Sequence, residues 1–191
     1  MVKTAYSKLE VEIPADVKVQ VKDMLVEISG PFGSLSKDFS HARRIKISKT
    51  ENKIILDTFY PDKKKLALLG TIKSHILNMI DGVTRKFRYE MKIVYAHFPI
   101  TVEYESAKNT LLIKNFLGER SARKASILSG VDVRVAGDTV ILEGVDSEKV
   151  GQTAANIQRA TKIRKKDPRV FGDGVYVYRK YVGDSLEWKI I

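Results

Sequence analysis

The sequence predicts an α+β protein made of two tandem copies of one unit, each a small, mainly antiparallel sheet packed against one helix. Three observations predict this. Apolar and turn residues recur at a spacing of 85–86 positions, and a repeat of that length is one whole domain duplicated. Within each copy, short runs alternate apolar and polar with period two, as half-buried strands do. Each copy then changes to apolar spacings of three and four, the stripe of a helix lying on a sheet. Strands followed by a single helix form the α+β pattern.

The first copy opens with a proline-led strand, Val17 to Val21, and continues through "MLVEIS" (Met24–Ser29) to the turn "GPFG". Next come "RRIKISK" and "KIILDT", two strands joined by the polar turn "TEN". Asp62, after Pro61, is the expected N-cap of a helix carrying Leu66, Leu69, Ile72, Ile76, Met79 and Ile80 on one face. Asp81-Gly82 is its expected stop. Strand "RYEMKIVY" (Arg88–Tyr95) completes this copy, so the units are expected at 1–95 and 96–191, with little linker between them.

The second copy matches element by element. Phe98-Pro99 answers Ile13-Pro14, Leu111 and Ile113 answer Val26 and Ile28, and Gly118 answers Gly33. Val131 and Val133 answer Ile45 and Ile47, and "VILE" (Val140–Glu143) answers "IILD" (Ile54–Asp57). Asp146 or Ser147 caps the second helix, which turns Val150, Ala154, Ile157 and Ile163 inward. If Asp173-Gly174-Val175 answers Asp81-Gly82-Val83, the second copy has gained about six residues in "RKKDPRVF".

Charge sets the function class. The 191 residues carry a net charge of +11, with a pI of about 9.7, which suits an anionic polymer. The second half segregates its charge: "RSARK" (120–124) is strongly basic, 125–158 is net acidic and 159–169 is basic again. Arg159, Lys162 and Lys166, with Lys165 beside them, fall on one face if the helix continues to Pro168; Arg164 and Arg169 add to the cluster. Cations favour a helix C-terminus, which accounts for one or two of these six. Phosphate binding accounts for the set. Phe171 either stacks on an unpaired base or plugs its own loop. Arg120, Arg123 and Lys124 form a second basic site after the glycine turn "NFLGE".

Other features carry less. "GPFG" has the form of a nucleotide-clamping GXXG loop, but its flanks read as strands rather than helices. "PDKKKL" places three lysines in a first helical turn, against the helix dipole. The tail holding Trp188, the one tryptophan, docks on its own domain or on a partner protein. Cysteine is absent, which removes disulfides and thiolate chemistry. His41, His75 and His97 lack ligand spacing, and no phosphate-binding GxxxxGK[ST] or dinucleotide-binding GxGxxG occurs. No cofactor, metal, small-molecule substrate or catalysis is expected. Residues 1–10 have no apolar run of signal-peptide type, and no membrane span or partnership is expected. A transient RNA-binding regulator and a protein scaffold contacting through the Trp188 tail are the rival readings.

"YAHFPI" (Tyr95–Ile100), "NFLGE" (Asn115–Glu119) and "IRKKDPRVFGDGVYV" (Ile163–Val177) resemble the L-six family of large-subunit ribosomal proteins, called L-nine in eukaryotic naming. "GPFGSLSKDF" and "KSHILNMIDGVTRKFRYEM" agree, so the resemblance covers about residues 8–180. The "DGVYV" form is similar to the archaeal and eukaryotic branch, and Ala160-Thr161, where eukaryotic members often carry cysteine, favours an archaeal source. The resemblance implies a structural component of the ribosome in the cytoplasm, supporting translation. It implies binding to large-subunit ribosomal RNA, mainly through the second domain, near the sarcin–ricin loop and the base of the factor-binding stalk. Its implied partners are that RNA and neighbouring large-subunit and stalk-base proteins.

Overall fold

The predicted alternation becomes paired antiparallel strands, and the pairings place the unit boundary. The computed structural model describes residues 5–164, 166–167 and 170–190. Chain contacts divide it into two units, Met1–Arg85 and Lys86–Ile191.

The first unit runs β1 (Tyr6–Glu12), β2 (Lys18–Lys22), β3 (Leu25–Gly30), β4 (Gly33–Asp38), β5 (Lys46–Thr50), β6 (Lys53–Phe59) and α1 (Lys63–Arg85). Its strands form two antiparallel sheets, ordered β1-β6-β5 and β2-β3-β4. Helix α1 packs on strands of both. Asp62 caps it as expected, accepting the Lys65 N–H at 2.8 Å. Leu69, Ile72, Ile76, Met79 and Ile80 are buried, whereas Leu66 is exposed.

The helix does not stop at Asp81-Gly82. It runs on to Arg85, with Gly82 and Val83 buried and Arg85 paired to Asp81 one turn back. The "GPFG" turn explains the continuation. The Phe32 N–H donates to the Val83 carbonyl at 3.0 Å, and a Cβ on Gly30 would lie 2.9 Å from that oxygen. The turn closes the β3–β4 hairpin against the helix end, and glycine lets the two backbones meet.

The second unit runs β7 (Phe87–Val94), β8 (Thr101–Glu105), β9 (Thr110–Lys114), β10 (Arg123–Ser126), β11 (Val131–Ala136), β12 (Thr139–Gly144), α2 (Ser147–Ala160), β13 (Gly174–Val182) and β14 (Ser185–Lys189). Three strands are ordered β10-β9-β8 and five are ordered β11-β12-β7-β13-β14, all antiparallel. Helix α2 packs on strands of both sheets, and its Ile157 joins Met91, Leu111, Ile113, Leu142 and Val175 in the buried core. Each such side chain contributes about 1.5–3 kcal/mol on full burial.

Strand β7 moves the boundary from the expected 95/96 to 85/86. It lies between β12 and β13, inside the second unit's larger sheet. Its partner in the duplication is β1: Val11 faces Ile54 on β6 as Met91 faces Val140 on β12. The strand therefore opens the second copy rather than closing the first. Asp173-Gly174 opens β13, whereas Asp81-Gly82 lies within α1, so the two are not equivalent. After α1 the chain enters β7 at once; after α2 come a basic segment and the β13–β14 hairpin. The expected six-residue insertion is the start of a C-terminal extension without counterpart in the first unit.

Candidate nucleic-acid interface

Helix α2 positions the basic segment by where it ends. Asp146 caps its start, accepting the N–H groups of Glu148 and Lys149. Its last residue is Ala160, well short of Pro168. Only Arg159 of the expected cation row is helical; Lys162, Arg164 and Lys166 follow on irregular chain. Lys165, Pro168 and Arg169 lie outside the described residues.

Two interactions stop the helix. The buried Thr161 hydroxyl bonds back to the Gln158 carbonyl at 3.2 Å and accepts the Val175 N–H at 3.2 Å. Arg123, from β10, donates to the carbonyls of Ala160 at 2.9 Å and Lys162 at 3.1 Å. These satisfy carbonyls that a helix end leaves open. They also set a cation against the negative end of the helix dipole, which would otherwise repel a polyanion.

Arg123 is a bracket rather than a free cation. It forms a two-point pair with Glu119, at 2.8 and 2.6 Å, and lies 4.1 Å over the Phe116 ring. The turn that brings these together bends through left-handed backbone at Asn115, Leu117 and Gly118. Glu119 is held below the usual carboxylate range by the Arg123 hydrogen bonds, with a smaller charge contribution from Lys166. The stretch 116–123 is thereby tied to the end of α2.

The far end of the segment is also pinned. Asp173 is buried and accepts the Ala96 N–H at 3.0 Å. The Tyr176 hydroxyl donates to the Asp173 carbonyl at 3.2 Å. A Cβ on Gly174 would stand 2.7 Å from the Tyr176 ring, so a larger residue here would push that ring off the Asp173 carbonyl. Between the anchored ends, Arg159, Lys162, Arg164 and Lys166 are exposed. Lys166 Nζ sits 4.7 Å above the ring of the half-buried Phe171.

The fold gathers these residues into two adjoining grooves. One, of about 380 Å³, is lined by Arg123, Lys124, Arg159, Ala160 and Arg164. The other, of about 630 Å³, shares Arg159 and adds Gln158, Lys162, Ile163, Phe171 and Tyr176 among its walls. The two predicted basic sites, separate in sequence, thus meet at Arg159. Arg120 is exposed but lines neither groove. Tyr176 and Gln158 escaped the sequence reading because neither is charged.

Among the described residues no His, Cys, Asp and Glu cluster could hold a metal ion, and no helix is long and apolar enough to cross a membrane. The arrangement offers exposed cations on a segment anchored at both ends, with an aromatic wall, which suits a phosphate backbone with its sugars and bases.

Comparison with known proteins decides the family. The model of the ribosomal protein L6 family matches residues 13–86 and 98–174, one segment in each structural unit. This chain belongs to the ribosomal protein L6 family. The large ribosomal subunit protein uL6 of Staphylothermus marinus is 51% identical over 179 residues, covering 93% of this chain and 97% of the relative. That of Desulfurococcus amylolyticus is 48% identical over 177 residues, covering 93% and 95%. That of Methanobrevibacter smithii is 46% identical over 180 residues, covering 94% and 99%. These relatives agree with the archaeal and eukaryotic branch read from "DGVYV" and with the archaeal source favoured by Ala160-Thr161. The second matched L6 segment contains both grooves' basic residues and ends at the Gly174 closure.

Proposed function

We propose that this chain binds large-subunit ribosomal RNA through the second unit, near the sarcin–ricin loop and the base of the factor-binding stalk. Membership of the L6 family supports the coarser part: a structural component of the large ribosomal subunit in the cytoplasm, not an enzyme. The observation that carries the finer part is the convergence of Lys124, Arg159, Lys162 and Arg164 on adjoining grooves beside an anchored loop. Lys166 and Arg120 are further exposed cations of the second unit; Lys165 and Arg169, proposed as RNA contacts from the sequence, lie outside the described residues. Arg123 holds the grooves in shape.

Folded RNA presents phosphates and 2′-hydroxyls in a fixed pattern, so backbone and shape readout suits rigid cations. The siting near the sarcin–ricin loop and the stalk base, with the proteins there as neighbours, rests on the family resemblance.

The test replaces Arg159, Lys162, Arg164 and Lys166 with alanine and measures affinity for deproteinised large-subunit RNA across salt concentrations. Four lost phosphate contacts lower the slope of log affinity against log salt by about 3.6, at ~0.9 per contact. Unchanged affinity and slope would refute the proposal.

A further inference from the structure

We infer that the RNA-binding surface continues from the basic grooves onto an aromatic groove formed by the β13–β14 hairpin, which takes an unpaired nucleotide of the same RNA. The groove, of about 420 Å³, is lined by Tyr89, Gln158, Tyr176, Lys180, Trp188 and Ile190, with small residues of α2 as its floor. That volume falls within the ~300–1,000 Å³ of sites that enclose a ligand.

Strand pairing builds it. Lys180 faces Tyr89 on β7 and Trp188 on β14. Residues directly opposite on neighbouring strands share a face of the sheet. A register shift between Val177 and Arg179 brings Lys180 to the side of Val177 and Tyr89, toward α2. Its ammonium stands 5.1 Å over the Tyr89 ring and 5.3 Å over the Trp188 indole. Trp188 remains 43% exposed and Ile190 52%.

Three observations choose the occupant. The groove shares Gln158 and Tyr176 with the Phe171 groove, which shares Arg159 with the first. The surface is therefore continuous from cations to aromatics. The residues lining these three grooves include six cations and no carboxylate, which favours a polyanion over a neutral protein segment. A part-exposed indole with a lysine over its ring suits a base stacked on the exposed part of the ring with its phosphate on the ammonium. The reading rests on the proposed RNA contact of the second unit and names which part of the RNA reaches further.

Trp188 is the one tryptophan in the chain, so its emission reports the groove directly. The full-length protein is titrated with deproteinised large-subunit RNA. The expected result is quenched emission and reduced acrylamide access on binding. Trp188→Ala is expected to weaken affinity roughly 5- to 150-fold, the range for losing a stacked base, at an unchanged salt slope. Trp188→Phe is expected to restore most of the loss. Binding that depends on Arg159, Lys162 and Arg164 while Trp188 emission and Trp188→Ala affinity stay unchanged would overturn this inference and leave the RNA contact standing. Emission that responds to a ribosomal-protein fraction but not to the RNA would also overturn it. If the wild-type chain binds no large-subunit RNA, both readings fall.

Discussion

At the residue scale, Arg123 and Arg159 carry the same charge and do different work. Arg123 spends its donors on Glu119 and on two carbonyls at the end of α2; Arg159 is exposed at the junction of the two basic grooves. Arg159→Ala should lower the salt slope by about 0.9 with little change in stability. Arg123→Ala should leave the slope nearly unchanged and destabilise the second unit by about 2 kcal/mol, since a charge-assisted hydrogen bond is worth ~1.5–3. Urea unfolding and the same salt series separate the two. The pair also predicts a pH response. The Glu119 carboxyl is depressed in the folded protein by Arg123, so its contribution is full above the unfolded value of about 4.3 and is lost as pH falls through the lower folded value. Glu119→Gln should flatten the acid limb of the stability profile below about pH 4.3.

At the element scale, the closures of the basic segment matter more than its composition. Thr161→Val would leave the Val175 N–H without its partner inside the protein, which costs about 1–3 kcal/mol. Faster amide exchange at Val175 would show the loop base opening. Much of this organisation was legible beforehand. The buried stripe of α1, the Asp62 and Asp146 caps and the paired strands around Val26 and Leu111 all follow from periodicity and capping chemistry. Two ends were not legible. Gly82 reads as a stop locally, yet α1 continues because the "GPFG" turn, fifty residues earlier, meets its backbone. Helix α2 reads as running to Pro168, yet it ends at Ala160 because Arg123 and Thr161 satisfy its carbonyls from outside. Tertiary contacts override local signals in both cases. The edge strands β4, β10 and β14 were missed because exposed strands lack a strong apolar alternation.

At the scale of the whole molecule, duplication explains what the second unit shares and what it adds. Both units use the order of β1-β6-β5 and β7-β12-β11 beside a three-stranded sheet. The repeat spacing of 85–86 did not extend to β1 and β7, because the connection into Phe98-Pro99 is longer than that into Ile13-Pro14. That concealed the true start of the second copy. A fragment of residues 86–191 should therefore fold cooperatively, whereas 96–191, lacking the strand between β12 and β13, should not; circular dichroism and thermal melts distinguish them. The extension after α2 supplies the loop and the hairpin, and with them the cations and aromatics that the first unit does not match. The most direct test is crosslinking of the protein to RNA within intact large subunits, mapped by residue. Adducts concentrated on Arg120, Lys124 and residues 159–171 of the second unit are the predicted result. Adducts confined to the first unit, with none on these residues, would contradict the assignment of the RNA contact.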